Sequence, residues 1–413
     1  MKMKSEDLPL KGFRVLDLGW VWSGPMVSYM LADLGAEVIK VEHNERLDNT
    51  RLRGSPTIHG KKVEGKSIEL GPYFHNLNRN KLSITLNLRV PKGVELFKNL
   101  VKESDIIVEN FTPNTLQKLG LGYEDLKKLR PDLIMLSLST VGQSGPLSDV
   151  KGYAPVISSL SGMESLVGYE EEPPLGMMTF GMSDPNAATQ AFFSVMVALY
   201  HREKTGEGKH IDMSQLEASI VLLGEAVMEY FMNGRILGPM GNFHKTQAPY
   251  GIYPSLEEDR WIAISTDTEE EWKGLVRALG NPSWAEDPPF KSKDERLKNR
   301  KRLDAYLREW TSKLSRGEIL SRLRKEGVPA TPVLSMEEQY EDEHFRIRGI
   351  HQKVVHPLLG EEILFSIPWK METGGQIRRS APLLGEHNNY VYGEILGLSP
   401  EEIQRLQLEK VIY

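Results

Sequence analysis

Short apolar runs alternating with helically spaced stretches dominate the first half of the chain. Phe13-Arg-Val-Leu-Asp-Leu18 reads as a strand, Gly24 to Leu34 carries apolar residues at helical intervals, and Gly35-Ala-Glu-Val-Ile-Lys-Val41 reads as strand again. Strand, helix, strand in that order implies a parallel pair with a right-handed crossover. The pattern recurs: strand at Leu82 to Leu86, helix at Pro91 to Lys102, strand at Asp105 to Glu109, helix at Tyr123 to Leu129 and strand at Leu133 to Leu138. A further strand is expected at Lys209 to Met213, between helices at about 184–204 and 214–233. Repeated units of this kind predict an α/β fold with a Rossmann-like parallel sheet covered by helices.

Beyond Gly234 the pattern changes. Arg235 to Ala248 is rich in Gly and Pro and reads as a connector, and Tyr250 to Thr266 reads as a hairpin followed by charged helical sequence. Strand-like sequence returns at Gln352 to His356 and Glu361 to Phe365, and a small helix is expected around Ser399 to Leu406. The expected organisation is a large domain over 1–240, a smaller α+β domain over 241–340, and a tail over 341–413 that returns to the first.

Composition then narrows the class. The 413 residues are 40% hydrophobic and 26% charged, with a net charge of −6, which argues against a general nucleic-acid binder while leaving room for a local basic pocket. The basic block Lys291 to Arg302 also contains acids and leucines and suits a solvated helix face. Cysteine is absent, which removes thiol catalysis, disulfides and Cys-ligated zinc. The charged start, Met1 to Asp7, has no apolar run behind it, and the most apolar helix, around Ser219 to Phe231, is broken by Glu225 and Glu229. A cytoplasmic protein with no membrane and no nucleic-acid partner is expected.

Most catalytic signatures are missing. Gly120-Leu-Gly122 lacks the third glycine of a dinucleotide fingerprint, and Gly181-Met-Ser-Asp-Pro185 puts proline where a hydrolase elbow needs glycine. Histidines at 43, 59, 75, 201, 210 and 244 show no ligand spacing, so no metal is expected. One carboxylate stands out. Asp184 lies at the mouth of a long apolar helix, where Asp is a preferred N-cap and Pro185 fits the first helical position. The positive end of a helix also favours an ionised carboxylate that does chemistry. Position alone leaves capping and nucleophilic roles both open.

Several segments together resemble the family III CoA-transferases: Leu10 to Leu18, Gly24-Pro25, Leu31 to Glu42, Asn80-Lys81, Val108-Glu-Asn-Phe111 and Thr205-Gly-Glu-Gly208 match in order and spacing. The resemblance spans nearly the whole chain. It implies an interlocked, ring-like dimer, formed with an identical chain or with a homologous subunit. It also implies coenzyme A as part of an acyl-CoA substrate, and a small carboxylic acid as its acceptor.

Gly181-Met-Ser-Asp184 aligns with the family's nucleophilic aspartate, which makes Asp184 the expected catalytic residue. A carboxylate of this kind attacks a thioester to form an anhydride, then an aspartyl-CoA thioester, without a metal. The resemblance places Trp22, Ser23, Lys81, Asn110, Phe111, Lys118, Lys151 and Tyr153 on the CoA side. Lysines neutralise phosphates as point charges, without the fork of arginine. His43 replaces a basic residue on the adenine side, with Arg46 close by.

Two departures separate the branches of the family. Gly152-Tyr-Ala-Pro155 replaces the Gly-His-Asp motif of the racemase branch, and tyrosine, with a reference pKa of about 10, is a poor base for a carbon acid. Gly238 to Gln247 replaces a glycine-run lid. The Gly19 to Gly24 opening and the Arg46 to Arg51 segment are similar to a branch acting on benzylsuccinate, an aromatic dicarboxylate. Arg51, Arg53 and Arg79 are candidates to clamp a second carboxylate. The competing readings are an acyl-CoA racemase or isomerase and a partner subunit of a hetero-oligomeric transferase.

Overall fold

The computed structural model describes residues 8–53, 57–58, 61–62, 68–176 and 181–413. The charged stretch 1–7, His59 and residues 177–180 fall outside them. The chain divides into two units: one comprises 1–163, 177–233 and 344–413, the other 164–176 and 234–343.

The first unit opens with β1 (Arg14–Asp17), α1 (Ser23–Asp33) and β2 (Glu37–Glu42), then the two-residue strands β3 (Thr57–Ile58) and β4 (Lys61–Lys62). Next come α2 (Pro72–Asn78), β5 (Leu82–Thr85), α3 (Pro91–Lys102), β6 (Ile106–Glu109), α4 (Thr115–Lys118), α5 (Tyr123–Leu126) and β7 (Ile134–Ser139). Helices α6 (Ala154–Ser161) and α7 (Ser183–Thr205), strand β8 (Lys209–Ser214), and helices α8 (Gln215–Ile220) and α9 (Gly224–Asn233) complete this part. Six strands pair in the order β5-β2-β1-β6-β7-β8, all parallel. The α/β fold expected from the alternating pattern is therefore present.

Both faces of this sheet are buried, as a parallel sheet with crossover helices requires. Leu16, Ile39 and Ile107 point to one side and pack with Leu96, Phe97 and Leu100 of α3 and with Tyr392, Ile403 and Leu406 of the C-terminal segment. Val15, Val38 and Val108 point to the other, against Val27 and Leu31 of α1 and Ala187, Ala191 and Val195 of α7. The small residues of α7 let that helix lie close to α1 and the sheet.

The second unit carries β9 (Tyr250–Pro254), β10 (Trp261–Ser265), α10 (Glu269–Ala278), α11 (Lys293–Lys298), α12 (Arg300–Thr311), α13 (Arg316–Lys325), β11 (Ala330–Val333) and α14 (Met336–Glu341). Its antiparallel sheet, ordered β11-β10-β9, packs Tyr253, Ile262 and Ile264 against Leu275, Leu303, Leu307 and Ile319. The chain continues through α15 (Glu343–Arg348) into the hairpin β12 (His351–His356) and β13 (Gly360–Phe365), and ends with α16 (Pro400–Leu408).

The structure differs from the pattern-based expectation at two places. The helix expected at 214–233 is divided by a tight turn at Val221–Leu223 just before Gly224, a residue that weakens a helix interior. The N-cap of α7 is Met182, without a side-chain capping bond, so Asp184 is the second helical residue and Pro185 the third. Asp184 does not serve as the cap, because its carboxylate turns to Ser23 instead.

Candidate active-site cleft

A cleft of about 1190 Å³ opens at the carboxyl ends of the parallel strands. Leu18, His43, Asn87, Asn110, Thr140 and Gln215, each just beyond a different strand, line it. This is where open parallel sheets bind ligands, because the strand-to-helix loops converge there.

The loop from β1 to α1 forms one wall. Asn110 Oδ1 accepts the Trp20 N–H at 2.7 Å, and its Nδ2 donates to the Trp20 carbonyl at 2.8 Å. A Cβ on Gly19 would lie 2.8 Å from the Gly24 carbonyl carbon, and one on Gly24 would lie 2.9 Å from Gly19 Cα, so the turn admits only glycine at both positions. Val21 has a φ of 65°, a left-handed conformation that a β-branched residue resists. Its N–H reaches Asp48 Oδ1 at 3.2 Å. The strained turn brings the Ser23 N–H and hydroxyl to Asp184.

Beneath this loop lies a closed charge network. Asp17 accepts from the Gly19 N–H at 2.8 Å, Ser28 Oγ at 2.7 Å and Lys81 Nζ at 2.7 Å. Lys81 also donates to the Pro25 carbonyl and Asn78 Oδ1, and Lys40 donates to the Gly19 carbonyl and Asp48. All four charged residues are fully buried. Burial pushes the Asp17 carboxyl up, but Lys81 and Lys40 outweigh it and hold it below its ordinary value. Lys81 was expected to reach a CoA phosphate. Its three N–H bonds are instead all occupied within this network, and it does not line the cleft.

Asp184 has the opposite surroundings. It lines the cleft, and among the described residues it has no ion-pair partner at contact distance. Burial pushes its carboxyl up to about 6, against the bonds from Ser23 and the field of Arg53. A Cβ added to Gly181 would lie 2.6 Å from Ala154 Cβ, 3.9 Å from Trp22 Cζ3 and 4.0 Å from Asp184 Oδ2, which places Trp22 and the start of α6 beside the carboxylate.

The other expected residues gather around the cleft. Phe111 and Trp20 meet edge to face at 6.0 Å, and the Phe111 N–H donates to Glu109. Lys118 and Lys151 line the cleft, exposed and without an ion-pair partner among the described residues. Tyr153 is 56% exposed, and the Arg53 guanidinium lies 5.6 Å from its ring centroid. Arg46 lies 5.0 Å over the Trp20 ring. Burial, above all, lowers the His43 imidazole from its ordinary value.

The sequence reading did not single out Arg89, an exposed cation lining the cleft just beyond β5, nor the Asp17–Lys40–Asp48 network. One lysine and two aspartates inside or just after apolar strand runs were the available signal. Glu109 was also missed as a perturbed acid: burial pushes it up to about 7, against bonds from Ser137 and the Phe111 N–H. Among the described residues no group of three or more His, Asp or Glu side chains is arranged to hold a metal ion, and no helix is long and apolar enough to cross a membrane.

Comparison with known proteins agrees with the geometry. The sequence pattern of CoA-transferase family III matches residues 10–388. The chain is 34% identical, over 100% of both sequences, to a protein of Chloroflexus aurantiacus named succinyl-CoA--D-citramalate CoA-transferase. It is also 34% identical to the succinyl-CoA--L-malate CoA-transferase beta subunit of the same organism, over 98% of each chain. The crystal structure of a CAIB/BAIF family protein from Brucella suis superposes with a TM-score of 0.84 at 31% identity, covering 94% of this chain and 100% of that one.

Proposed function

The chain belongs to the family III CoA-transferases, and on that premise we propose that it moves CoA from succinyl-CoA to a second dicarboxylate, with Asp184 as the nucleophile. The observation that carries this reading is the Asp184 carboxylate, which lines the cleft without a contacting cation and has Ser23 beside it favouring its ionised form. A carboxylate stripped of water and counter-ion is a stronger nucleophile than a solvated one. The relatives named for citramalate and malate supply the dicarboxylate class. Benzylsuccinate belongs to that class too.

In the proposed cycle an Asp184 oxygen attacks the thioester carbonyl, forming a mixed anhydride and expelling CoA thiolate. The thiolate attacks the aspartyl carbonyl, giving an aspartyl-CoA thioester and releasing the donor carboxylate. The acceptor carboxylate then attacks the same carbonyl and expels the thiolate again. Attack of the thiolate on the acceptor's acyl carbon yields the new thioester and frees Asp184. The Ser23 N–H and hydroxyl, already directed at this carboxylate, are positioned to stabilise the oxyanion formed at the aspartyl carbonyl. Lys118, Lys151, Arg46 and Arg89 are the proposed partners of the CoA phosphates, and Phe111 and Tyr153 of its uncharged parts.

The same reading includes a second chain. On α7, Phe193, Val197 and Tyr200 are exposed, as are Met228, Tyr230 and Phe231 on α9. An apolar surface of this extent suits a subunit contact, with a second copy or a homologous chain as the occupant.

The test is mass spectrometry of the enzyme incubated in D₂O with succinyl-CoA and a panel of acids that includes citramalate, malate and benzylsuccinate. New acid-CoA thioesters without deuterium at the acyl α-carbon are expected. Deuterium uptake without new thioesters would overturn the proposal in favour of racemase chemistry.

A further inference from the structure

Three arginines follow or face the β2 and β5 ends of the sheet, and the structure gives them different roles. Arg51 is fully buried: it bonds Glu42 and Glu69 and lies with its guanidinium carbon 3.7 Å from the Phe74 ring centroid. Arg79 is likewise buried, bonded to Asp33 and Asn76 and 3.7 Å over the Tyr29 ring. Both guanidinium groups are buried and committed to carboxylates of the fold. Arg53 is exposed, has no ion-pair partner among the described residues, and lies 5.6 Å over the ring of Tyr153.

Tyr153 fixes where that guanidinium stands. Tyr153 lines the cleft and directly precedes Ala154, whose Cβ would lie 2.6 Å from a Cβ on Gly181, and the same Gly181 position lies 4.0 Å from Asp184 Oδ2. Arg53 is not itself among the residues lining the cleft, but it stands over Tyr153 at the end where Asp184 lies, and its field reaches that carboxylate. Arg46 and Arg89 follow β2 and β5, and Lys118 ends α4; Lys151, two residues before Tyr153, also lines the cleft but carries an ammonium without the guanidinium fork. We propose that Arg53, backed by the Tyr153 ring, binds the distal carboxylate of the dicarboxylate substrates while their other carboxyl group reacts at Asp184.

The proposal rests on the transferase reading and adds the residue that selects diacids over monoacids. A dicarboxylate at Asp184 brings a second negative charge into a cleft that must exclude water, and that charge needs a cation which is not already committed. The guanidinium fork matches a carboxylate with two parallel N–H donors, and the aromatic face beneath it keeps the fork oriented. Because donor and acceptor acyl groups occupy the same place in turn, Arg53 serves succinyl-CoA and the acceptor diacid alike.

The experiment is steady-state kinetics of the full-length wild type, Arg53→Gln and Arg53→Lys. Succinyl-CoA is compared with butyryl-CoA as donor, and glutarate with valerate as acceptor. In Arg53→Gln the preference of kcat/KM for the diacid over the monoacid falls about tenfold or more on both sides, as expected for a lost charged hydrogen bond, mainly through KM. Arg53→Lys retains an intermediate preference, since it keeps the charge and loses the fork. An unchanged ratio, or an equal loss on diacid and monoacid, overturns the proposal, the latter by placing Arg53 on Asp184 itself. A wild type that transfers CoA to none of these acids, nor to citramalate, malate or benzylsuccinate, overturns instead the transferase reading beneath it.

Discussion

Asp17 and Asp184 are both held by the segment that joins β1 to α1, yet they are built for opposite ends. Asp17 accepts from the Gly19 N–H, Ser28 and Lys81. Asp184 has Ser23, the first residue of α1, beside it, and Ser23 favours its ionised form. The first is fully buried with its charge matched, and Lys81 and Lys40 keep its carboxyl below the ordinary range in spite of burial. The second is desolvated without a contacting counter-ion, and burial raises it to about 6. A saturated charge holds the loop still, whereas an unsaturated one retains the reactivity that a nucleophile needs. The lysines divide in the same way: Lys81 and Lys40 are spent inside the network, and Lys118 and Lys151 remain open to the cleft.

Substitutions at the two aspartates separate them most sharply. Asp184→Ala is expected to lower the rate of CoA transfer at least about a thousandfold while CoA still binds, measured as new thioester against CoA affinity by calorimetry. Asp17→Asn or Lys81→Met breaks a buried pair and leaves an uncompensated charge, at a cost of about 3–5 kcal/mol in urea unfolding. Equal losses of activity and stability at both sites would erase the distinction.

The stability changes should also differ in sign. Folding favours the ionised form of Asp17, so its contribution is present above the ordinary carboxylate pKa and is lost as pH falls through its lowered folded value. Asp184 has a raised value, so folding favours its acid form, and stability falls as pH rises from 3.8 to about 6 and stays reduced above that. Asp184→Asn is therefore expected to stabilise the protein at pH 7, on the order of 1 kcal/mol after allowing for partial exposure, with loss of activity. In the wild type, kcat/KM for succinyl-CoA should fall with a limb near pH 6 as Asp184 is protonated.

The smallest effect belongs to the open cations. Lys118→Ala with Lys151→Ala is expected to raise KM for acyl-CoA several-fold at low salt, and less at high salt, with little change in melting temperature. A large loss of stability would mean that these lysines are spent in the way Lys81 is.

The parallel sheet was legible in the sequence because its strands are continuous apolar runs with helices between them, as at Arg14–Asp17, Ser23–Asp33 and Glu37–Glu42. Asp184 was legible as a candidate, but not its environment, since burial and the missing counter-ion are properties of three converging helices. Lys81 was misplaced for the same reason. The resemblance put this lysine on the CoA side, and only the fold shows Asp17, 64 residues away in sequence, and the nearby Asn78 occupying it. Arg51, Arg53 and Arg79 were equivalent as letters, and only the partners Glu42, Glu69 and Asp33 tell them apart.

The central claim is that Asp184 carries the CoA group during transfer. The most direct test is to incubate the wild type with succinyl-CoA alone, quench with hydroxylamine and map the modified peptide by mass spectrometry. The account predicts a hydroxamate on Asp184, formed in proportion to the enzyme and absent in Asp184→Ala. Transfer that proceeds at the wild-type rate while Asp184 stays unmodified, or a hydroxamate on another carboxylate, would contradict it.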